Sequence, residues 1–296
     1  MATPSAGTAT AHPADTGADA AGLITEAVLR NLAGTPDARL REVMTSLVSH
    51  LHAFAREVQL TEQEWMAGIQ FLTAVGQKCT PTRQEFILLS DTHGLSSLVD
   101  VLTQNKPAGA TESTVLGPFY VPASTERANG ESMAEEDDAT PAVVRGRVLA
   151  LDGTPIPGAT IDLWQTNSKG FYAVQEPDSQ PPQNLRGRYR TDADGCYELV
   201  TVRPVEYPIP TDGPVGDLLR AEQRHPWRAA HIHAIVSAPG YERVVTHIFD
   251  GERDYLDSDA VFGVKASLIR TFSPGTGPDG KPIFELDHDF VLAPER

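Results

Sequence analysis

The chain has 296 residues, a hydrophobic content of 40% and a formal net charge of −16 at pH 7. This length and composition support a sizeable core and exclude a wholly disordered chain. No apolar run approaches the roughly 20 residues of a membrane-spanning helix, and an acidic chain without clustered Lys or Arg argues against nucleic acid as a partner. Only two cysteines, Cys79 and Cys196, are present, which suits a reducing, cytoplasmic compartment.

The first part of the chain has the pattern of a helical domain. Residues 1–22 contain neither the basic nor the apolar region of a signal peptide, and we expect them to form a disordered leader. Over residues 23–110, apolar side chains recur at three- and four-residue steps, which predicts about four amphipathic helices. The stretch 61-TEQE-64 has the form of a capping box at a helix start. Another helix is predicted over residues 84–104, with Gly94 weakening its middle.

From residue 111 to residue 296 the pattern changes to short runs of alternating apolar and polar residues, separated by Pro and Gly. Such runs predict a mainly β fold, an antiparallel β-sandwich. Turn signals at 152-DGTP-155 and 194-DG-195 favour antiparallel pairing. The strands are predicted at 143–151, 159–164, 196–202, 230–236, 243–249 and 284–292.

A pair of histidines interrupts one of these strands, in 228-RAAHIHAIV-236. Side chains alternate along a strand, so His231 and His233 lie on the same face. Burying two imidazoles together is costly unless they share a purpose, and a metal ion is one; two hydrogen-bonded core histidines are the alternative. The first acid after the pair is Glu242, which is a poor match to a cupin, and a zinc site would need a third His or a carboxylate.

Two tyrosines in long loops offer a different ligand set. Tyr172 ends 170-GFY-172, and Tyr207 lies in 205-VEYPIP-210. A phenol with a pKa near 10 binds a metal only when a strong Lewis acid keeps it ionised, and ferric iron does this far better than zinc. The alternative is that both tyrosines are ordinary half-buried aromatic residues.

Four segments together resemble a known family, the intradiol ring-cleaving dioxygenases of the catechol 1,2-dioxygenase type. They are 117-GPFY-120, 158-GATIDLWQTNSKGFY-172, 194-DGCYELVTVRPVEYPIPTDGP-214 and 228-RAAHIH-233. The resemblance extends from about residue 25 to the end. It implies an Fe(3+) cofactor, O2 as a substrate, and a homodimer formed through the helical domain, where a phospholipid is known in the family. The implied metal ligands are Tyr172, Tyr207, His231 and His233.

Within that family, the segments 84–94, 111–120, 207–216 and 246–269 resemble hydroxyquinol 1,2-dioxygenases most. These enzymes open 1,2,4-trihydroxybenzene to 3-hydroxy-cis,cis-muconate, equivalent to maleylacetate. Catechol 1,2-dioxygenases, which make cis,cis-muconate, commonly carry Gln where His247 stands. Cleavage of catechol remains the alternative reaction.

The resemblance also implies roles for residues around the ligands. Tyr207 would leave the iron and accept a proton, and Arg228 would stabilise developing negative charge. His247 would be an outer donor near substrate or oxygen. An ordinary surface ion pair for Arg228 and strand packing for His247 are the alternatives. The ring would be held by apolar walls formed by Leu88, Gly117, Pro118, Phe119, Ile209 and Pro210.

Asp91 could reach the third hydroxyl group of the ring, and a solvent-facing acid on a helix is its alternative. Two other classes of protein also stay open. The stretch 153-GTPIPGATIDLW-164 also resembles transthyretin-like sandwich modules that only bind ligands, and a zinc hydrolase is the third class.

Overall fold

The computed structural model describes residues 14–81, 83–104, 106–135 and 139–295, with side chains from residue 20 onward. The chain divides into two compact units, one up to Gln70 and one from Phe71 onward. Among the described helices, none is both long and apolar enough to cross a bilayer. The helices are α1 (Ala14–Leu32), α2 (Ala38–Glu57), α3 (Glu62–Lys78), α4 (Glu85–Thr92), α5 (Leu95–Thr103) and α6 (Pro214–Ala221).

Helix α1 begins at Ala14, so it includes the last nine residues of the leader predicted for residues 1–22. The leader prediction is therefore wrong for residues 14–22, whose alanines are the best helix formers, and residues 1–13 lie outside the described part. The capping box at α3 is confirmed. The backbone N–H of Thr61 donates to the Glu64 carboxylate at 2.9 Å, and the Glu64 N–H donates to the Thr61 hydroxyl at 3.2 Å.

The helix predicted over residues 84–104 is two helices, α4 and α5, with Gly94 between them at φ +70°. A left-handed backbone there suits glycine, which explains the break. Helix α4 belongs to the second unit, because Leu88 packs in an apolar cluster drawn from distant parts of the chain. Its members are Val75, Leu88, Val115, Ile209, Val215, Leu219, Ala260 and Val261. The division of the chain therefore falls inside α3, whereas composition predicts a boundary near residue 110.

The β region contains twelve strands among the described residues. They are β1 (Pro141–Ala150), β2 (Thr160–Trp164), β3 (Arg186–Arg190), β4 (Cys196–Val202), β5 (Tyr207–Pro208), β6 (Trp227–Arg228), β7 (His231–Ser237), β8 (Val244–Asp250), β9 (Ile269–Arg270), β10 (Ser273–Thr276), β11 (Pro282–Asp287) and β12 (Phe290–Leu292). One sheet has the order β10-β11-β1-β12, with β4 also paired to β1. The other has the order β3-β2-β7-β8-β9, and β5 pairs with β6.

The sheets are mixed, so the prediction of an antiparallel sandwich is wrong for three pairs of strands. Strand β1 pairs in parallel with β11 and β12, and β8 pairs in parallel with β9. Parallel partners need long crossover connections, and β1 and β11 lie far apart in the chain. Local turn signals do not reveal such partners. The Asp194–Gly195 turn likewise joins β3 to β4, which belong to different sheets.

The main core lies between the two sheets and uses one face of each strand. On β7 the core residues are Ile232, Ala234 and Val236. The neighbouring β8 contributes Val244 and Ile248. The strand period of two therefore turns His231, His233 and His247 to the opposite face of the second sheet, which is also buried.

Candidate metal centre

Strand β7 brings its two histidines to one point. His231 and His233 are each only 2% exposed, and their Nε2 atoms lie 3.1 Å apart. His231 Nδ1 lies 2.7 Å from the carbonyl oxygen of Ala229. A carbonyl oxygen can only accept a hydrogen bond, so His231 Nδ1 must carry the proton that it donates. The lone pair of Nε2 can then bind a metal ion.

The two tyrosines meet the histidines at the same point. The Tyr172 hydroxyl lies 2.8 Å from His233 Nε2 and 2.9 Å from the Tyr207 hydroxyl. Tyr207 is fixed by the pairing of β5 with β6, which puts it opposite Arg228. Gly170, at φ +84°, allows β5 to lie close to the loop that carries Tyr172, because a Cβ atom at Gly170 would lie only 3.0 Å from Tyr207 Cβ. Both tyrosines are buried, which excludes the alternative that they are ordinary half-buried aromatic residues.

The four donor atoms have the spacing of one ligand shell. Bonds of about 2 Å at angles near 90° separate neighbouring ligand atoms by about 3 Å, and the three distances here run from 2.8 to 3.1 Å. Two neutral imidazoles and two phenols fit a trivalent ion, since each bound phenolate removes one unit of its charge. The fold and these donors define a β-sandwich with a buried metal-capable centre.

Burial sets the protonation of this centre. It raises the pKa of Tyr172 well above 10, and the adjacent Tyr207 raises it further. It also raises the pKa of Tyr207, although Arg228 opposes that shift. The pKa values of His231 and His233 fall well below 6.5, chiefly through burial. All four groups are therefore neutral at pH 7, and ionising either phenol requires a strong positive charge beside it.

A buried ion pair holds Arg228 against the centre. Its Nη1 lies 3.3 Å from the Tyr207 hydroxyl and 3.2 Å from His231 Nε2. Burial lowers the pKa of this guanidinium, but the charge and hydrogen bond of the Asp259 carboxylate oppose that shift, and the guanidinium stays charged. Because Arg228 and Asp259 are both buried, the pair is not a surface ion pair, and that alternative is wrong.

Asp259 was not among the residues predicted from sequence. Its carboxylate accepts a hydrogen bond from Arg228 Nε at 3.2 Å and another from the backbone N–H of Gly263 at 2.8 Å. A Cβ at Gly263 would lie 3.1 Å from Arg228 Nη2 and 3.3 Å from the Asp259 carboxylate, so only glycine leaves full room. No spacing rule connects residues 228, 259 and 263, and pattern analysis had no means of finding this contact.

Aromatic rings enclose the ligands. Trp164 stacks on His233 at 4.6 Å between centroids and 9° between planes. Phe119 stacks on Tyr172 at 4.9 Å and 29°. Trp164, which sequence analysis did not single out, lies directly across from His233 in the pairing of β2 with β7. The register of the two strands, had it been known, would have predicted this contact.

The predicted apolar walls lie in two places. Leu88 and Ile209 share the cluster that also contains Val115. A cavity of about 420 Å³ is lined by Phe119, Ile209 and Pro210, and by the ligand neighbours Phe171 and Pro208. Gly117, at φ +77°, is close to a ligand, because a Cβ there would lie 3.3 Å from His233 Cε1. Pro118 lies between Gly117 and Phe119 and is half-buried.

Asp91 is buried, with 2% exposure, so the solvent-facing alternative is wrong. Burial raises the pKa of its carboxyl group, while a hydrogen bond from Ser96 and the charge of Arg228 lower it. The carboxyl is also close enough to Asp259 for that charge to raise its pKa. Helix α4 therefore carries a buried acid whose ionisation depends on the charges of Arg228 and Asp259.

His247 is fully buried on β8, directly across from His233 in the strand pairing. Its Nε2 lies 2.8 Å from His233 Nδ1. Ligand nitrogens of His231, His233 and His247 all lie within 4.8 Å of one another, which makes the three histidines a metal-capable group. His247, however, meets His233 on the side of the ring away from the tyrosines, so it lies behind the four-donor shell.

Comparison with known proteins connects this geometry to a family. Residues 115–294 match the family described as "Dioxygenase", and residues 37–111 match "Catechol dioxygenase N terminus". The chain is 51% identical over 271 residues to 6-chlorohydroxyquinol 1,2-dioxygenase of Cupriavidus pinatubonensis, covering 92% of this chain and 96% of that protein. It is 48% identical over 276 residues to hydroxyquinol 1,2-dioxygenase of a Rhizobium species, covering 90% and 94%.

A solved structure gives the same result. Hydroxyquinol 1,2-dioxygenase from Pseudomonas putida DLL-E4 aligns with a TM-score of 0.88 at 49% identity, covering 94% of this chain and 99% of that one. The chain therefore belongs to the intradiol ring-cleaving dioxygenase family, as the sequence resemblance predicts. Membership in an enzyme family of this kind disfavours both the binding-module and the zinc-hydrolase alternatives.

Proposed function

We propose that this protein is a non-haem ferric intradiol dioxygenase that opens hydroxyquinol with O2 to 3-hydroxy-cis,cis-muconate, equivalent to maleylacetate. Both oxygen atoms enter the product, because one ring C–C bond is replaced by two carboxyl groups. The observation that carries the proposal is the convergence of Tyr172, Tyr207, His231 and His233, since the donor atom of each lies within about 3 Å of the donor atom of at least one other. Relatives named for hydroxyquinol cleavage support the choice of substrate.

The donor set favours Fe(3+) over zinc. Two buried phenols with raised pKa values ionise only beside a strong Lewis acid, and the neutral imidazoles leave the two phenolates to offset part of a trivalent charge. When bound, ferric iron accepts electron density from a chelated diol, so that a ring carbon can react with O2. Tyr172, Tyr207, His231 and His233 would hold that ion.

We assign to Tyr207 the acceptance of a substrate proton and to Arg228 the stabilisation of negative charge. A diol that binds a metal through both oxygens must lose two protons; the Tyr207 oxygen would accept one of them, and the other would pass to water. Arg228 Nη1 lies 3.3 Å from the Tyr207 oxygen. Its fixed positive charge stabilises negative charge on that oxygen and on a substrate oxygen beside it. Tyr172, against which Phe119 stacks, would act only as a metal ligand.

Asp91 distinguishes the two candidate substrates. We assign its buried carboxyl to the third hydroxyl group of hydroxyquinol, which catechol lacks. The walls formed by Leu88, Gly117, Pro118, Phe119, Ile209 and Pro210 would grip the two faces and the edge of the ring. A site built to bond a hydroxyl group rejects an analogue without it, because the buried polar group is then left unpaired. Catechol cleavage, giving cis,cis-muconate, is the competing function.

Oxygen uptake with hydroxyquinol and catechol, measured side by side on iron-loaded protein, tests this proposal. We expect kcat/KM for hydroxyquinol to exceed that for catechol, and D91N to lower the ratio by acting mainly on hydroxyquinol. D100N is the matched control, because Asp100 pairs with Lys265 at 2.8 Å outside the candidate site. Equal rates on both diols in wild type would favour the catechol alternative, and no oxygen uptake with either would contradict the proposal.

We also infer that the protein is a homodimer formed through its helices. Helix α2 exposes Val43, Leu47, Leu51, Phe54 and Val58, whose steps of three and four residues put them on one face. An apolar stripe of this length is the kind of surface that a second copy of the chain covers. A phospholipid between two copies would use the same apolar surface. Light scattering, together with phosphate analysis of an organic extract, separates a bare dimer, a lipid-bearing dimer and a monomer.

A further inference from the structure

The buried imidazole of His247 has a geometry that the roles above do not explain. It is fully buried, and its Nε2 lies 2.8 Å from His233 Nδ1. It therefore faces a proposed ligand and not the cavity beside Phe119. Burying an imidazole costs free energy that a hydrophobic residue at this position would avoid. His247 is thus a polar group retained at a cost. Its ring stacks on His231 at 4.4 Å between centroids, and its hydrogen bond is to His233 alone among the proposed ligands.

The direction of the hydrogen bond follows from the ligand's other nitrogen. His233 Nε2 faces Tyr172 at 2.8 Å and His231 at 3.1 Å, so a metal ion held there takes the Nε2 lone pair. The proton of neutral His233 must then be on Nδ1, which makes His233 the donor and His247 Nε2 the acceptor. Histidine ligands almost always donate their second N–H to such an outer acceptor, which fixes the ring and raises its basicity.

The far side of His247 connects to the substrate wall. Its Nδ1 then carries a proton, is buried and has no well-aligned partner among the described residues, although the backbone of Val115 interacts with the ring. The segment around Val115 is hydrogen-bonded to the two residues of β8 that directly precede His247. The N–H of Thr114 donates to the carbonyl of Val245 at 2.9 Å, and the Thr246 hydroxyl donates to the carbonyl of Glu112 at 2.7 Å.

His233 is held on its remaining sides by other groups. Trp164 covers one face of the ring, and the space at Cε1 is closed by Gly117. Among the described residues, the one side chain that hydrogen-bonds to the nitrogen on the other side of the ring, Nδ1, is His247. His247 is therefore the one described side chain placed to tune this ligand by hydrogen bonding at the atom opposite the donor nitrogen.

We propose that His247 is a positioning residue that accepts a hydrogen bond from Nδ1–H of His233. This bond fixes the tautomer and the orientation of His233. It also connects His233, through His247, to the segment 114–117 beside the proposed substrate pocket. The inference rests on the proposed iron site. It assigns His247 an action through His233, not a contact with substrate or oxygen, and it distinguishes His247 from a third metal ligand.

Two variants, whose new side chains are similar in length, test whether His247 acts as a hydrogen-bond acceptor. In H247Q the Oε1 atom can accept the same hydrogen bond, whereas H247M has a similar unbranched chain with only a weak acceptor. We expect H247M to bind ferric iron about 10–100-fold more weakly than wild type in competition with a chelator, with a shifted visible charge-transfer band. H247Q should stay within about threefold of wild type. I248V, on the core face of the same strand, controls for a loss of stability.

A measurement on the wild-type chain covers the case in which a variant does not fold. Gallium(III), a diamagnetic stand-in for ferric iron, allows the histidine tautomers to be assigned by nitrogen-15 NMR. We expect Nδ1–H on both His233 and His247. A proton on His247 Nε2, or metal bound through that atom, would overturn the inference.

The outcomes separate the two proposals. If wild type binds no ferric iron and stays colourless, the proposed function fails. If wild type is coloured but H247M and H247Q both retain iron and colour like wild type, the proposed function stands and the role of His247 is overturned.

Discussion

The two faces of the second sheet are equally buried and chemically opposite. Toward the first sheet, β7 presents Ile232, Ala234 and Val236, which need only fill space. On the other face, the same strand presents His231 and His233, which depend on polar contacts with Tyr172, with the adjacent segment Arg228–Ala229 and with His247 on β8. Burial alone therefore does not separate core from site. Substitutions on the core face should change stability, whereas those on the site face should change metal binding and chemistry.

The sharpest contrast is expected from Y172F, which removes one oxygen atom and keeps the ring that stacks on Phe119. We expect loss of the visible band and a fall in activity of more than about 100-fold, since even an outer partner of a metal ligand can be worth that much. The metal-free protein should unfold at nearly the wild-type urea concentration. C79A, which changes a thiol far from the four donors in the chain, should leave colour and activity intact.

D259N tests how much stability and activity depend on the buried ion pair of Arg228 and Asp259. Removing the carboxylate charge leaves the Arg228 guanidinium buried without its counter-charge, which should cost about 3–5 kcal/mol of unfolding free energy. Replacing both partners, in R228M/D259N, should recover much of that stability but not the activity. Denaturant unfolding and oxygen uptake measure the two effects. Full activity in the double variant would contradict the role given to Arg228.

On the core face, I232A should lower the free energy of unfolding by about 2–5 kcal/mol, because it deletes buried methyl groups between the sheets. Iron content and kcat of the remaining folded protein should stay near wild type. I232V should cost about 0.5–1.5 kcal/mol. If I232A bleached the iron band while the protein stayed folded, the two faces would not be separable in the way described.

The smallest effect concerns His288, a buried histidine outside the site. Burial, followed by the charge of Arg270, lowers its pKa to about 3. The unfolded chain has the higher pKa and takes up a proton below about pH 6.5, so folding stability falls as the pH drops through that value toward 3. Between pH 7 and pH 5 this group alone should cost about 2 kcal/mol.

Urea unfolding of the metal-free protein at both pH values measures that loss. In H288Q the loss should be smaller by about 2 kcal/mol, since glutamine does not titrate. The other histidines are common to both proteins and cancel in the difference. Identical pH dependence of wild type and H288Q would show that His288 is not the group responsible.

Local patterns in the sequence predicted the parts of the molecule that depend on local physics. The capping box at Thr61, the strand period that puts His231 and His233 on one face, and the weak point at Gly94 all follow from a few neighbouring residues, although the pattern predicts a single helix across Gly94. The parallel pairing of β1 with β11 and the contact of Asp259 with Arg228 depend on how distant segments cross, which no local spacing encodes. Of the proposed ligands, the histidine pair was visible from spacing, whereas the tyrosines needed the family resemblance.

The central claim is that two phenols and two imidazoles hold one ferric ion. A crystal structure of the iron-loaded protein, with anomalous diffraction measured at the iron absorption edge, tests it most directly. We predict a single iron peak within about 2 Å of Tyr172 Oη, Tyr207 Oη, His231 Nε2 and His233 Nε2. An iron peak at His247, or iron absent from between the tyrosines and the histidine pair, would contradict the account.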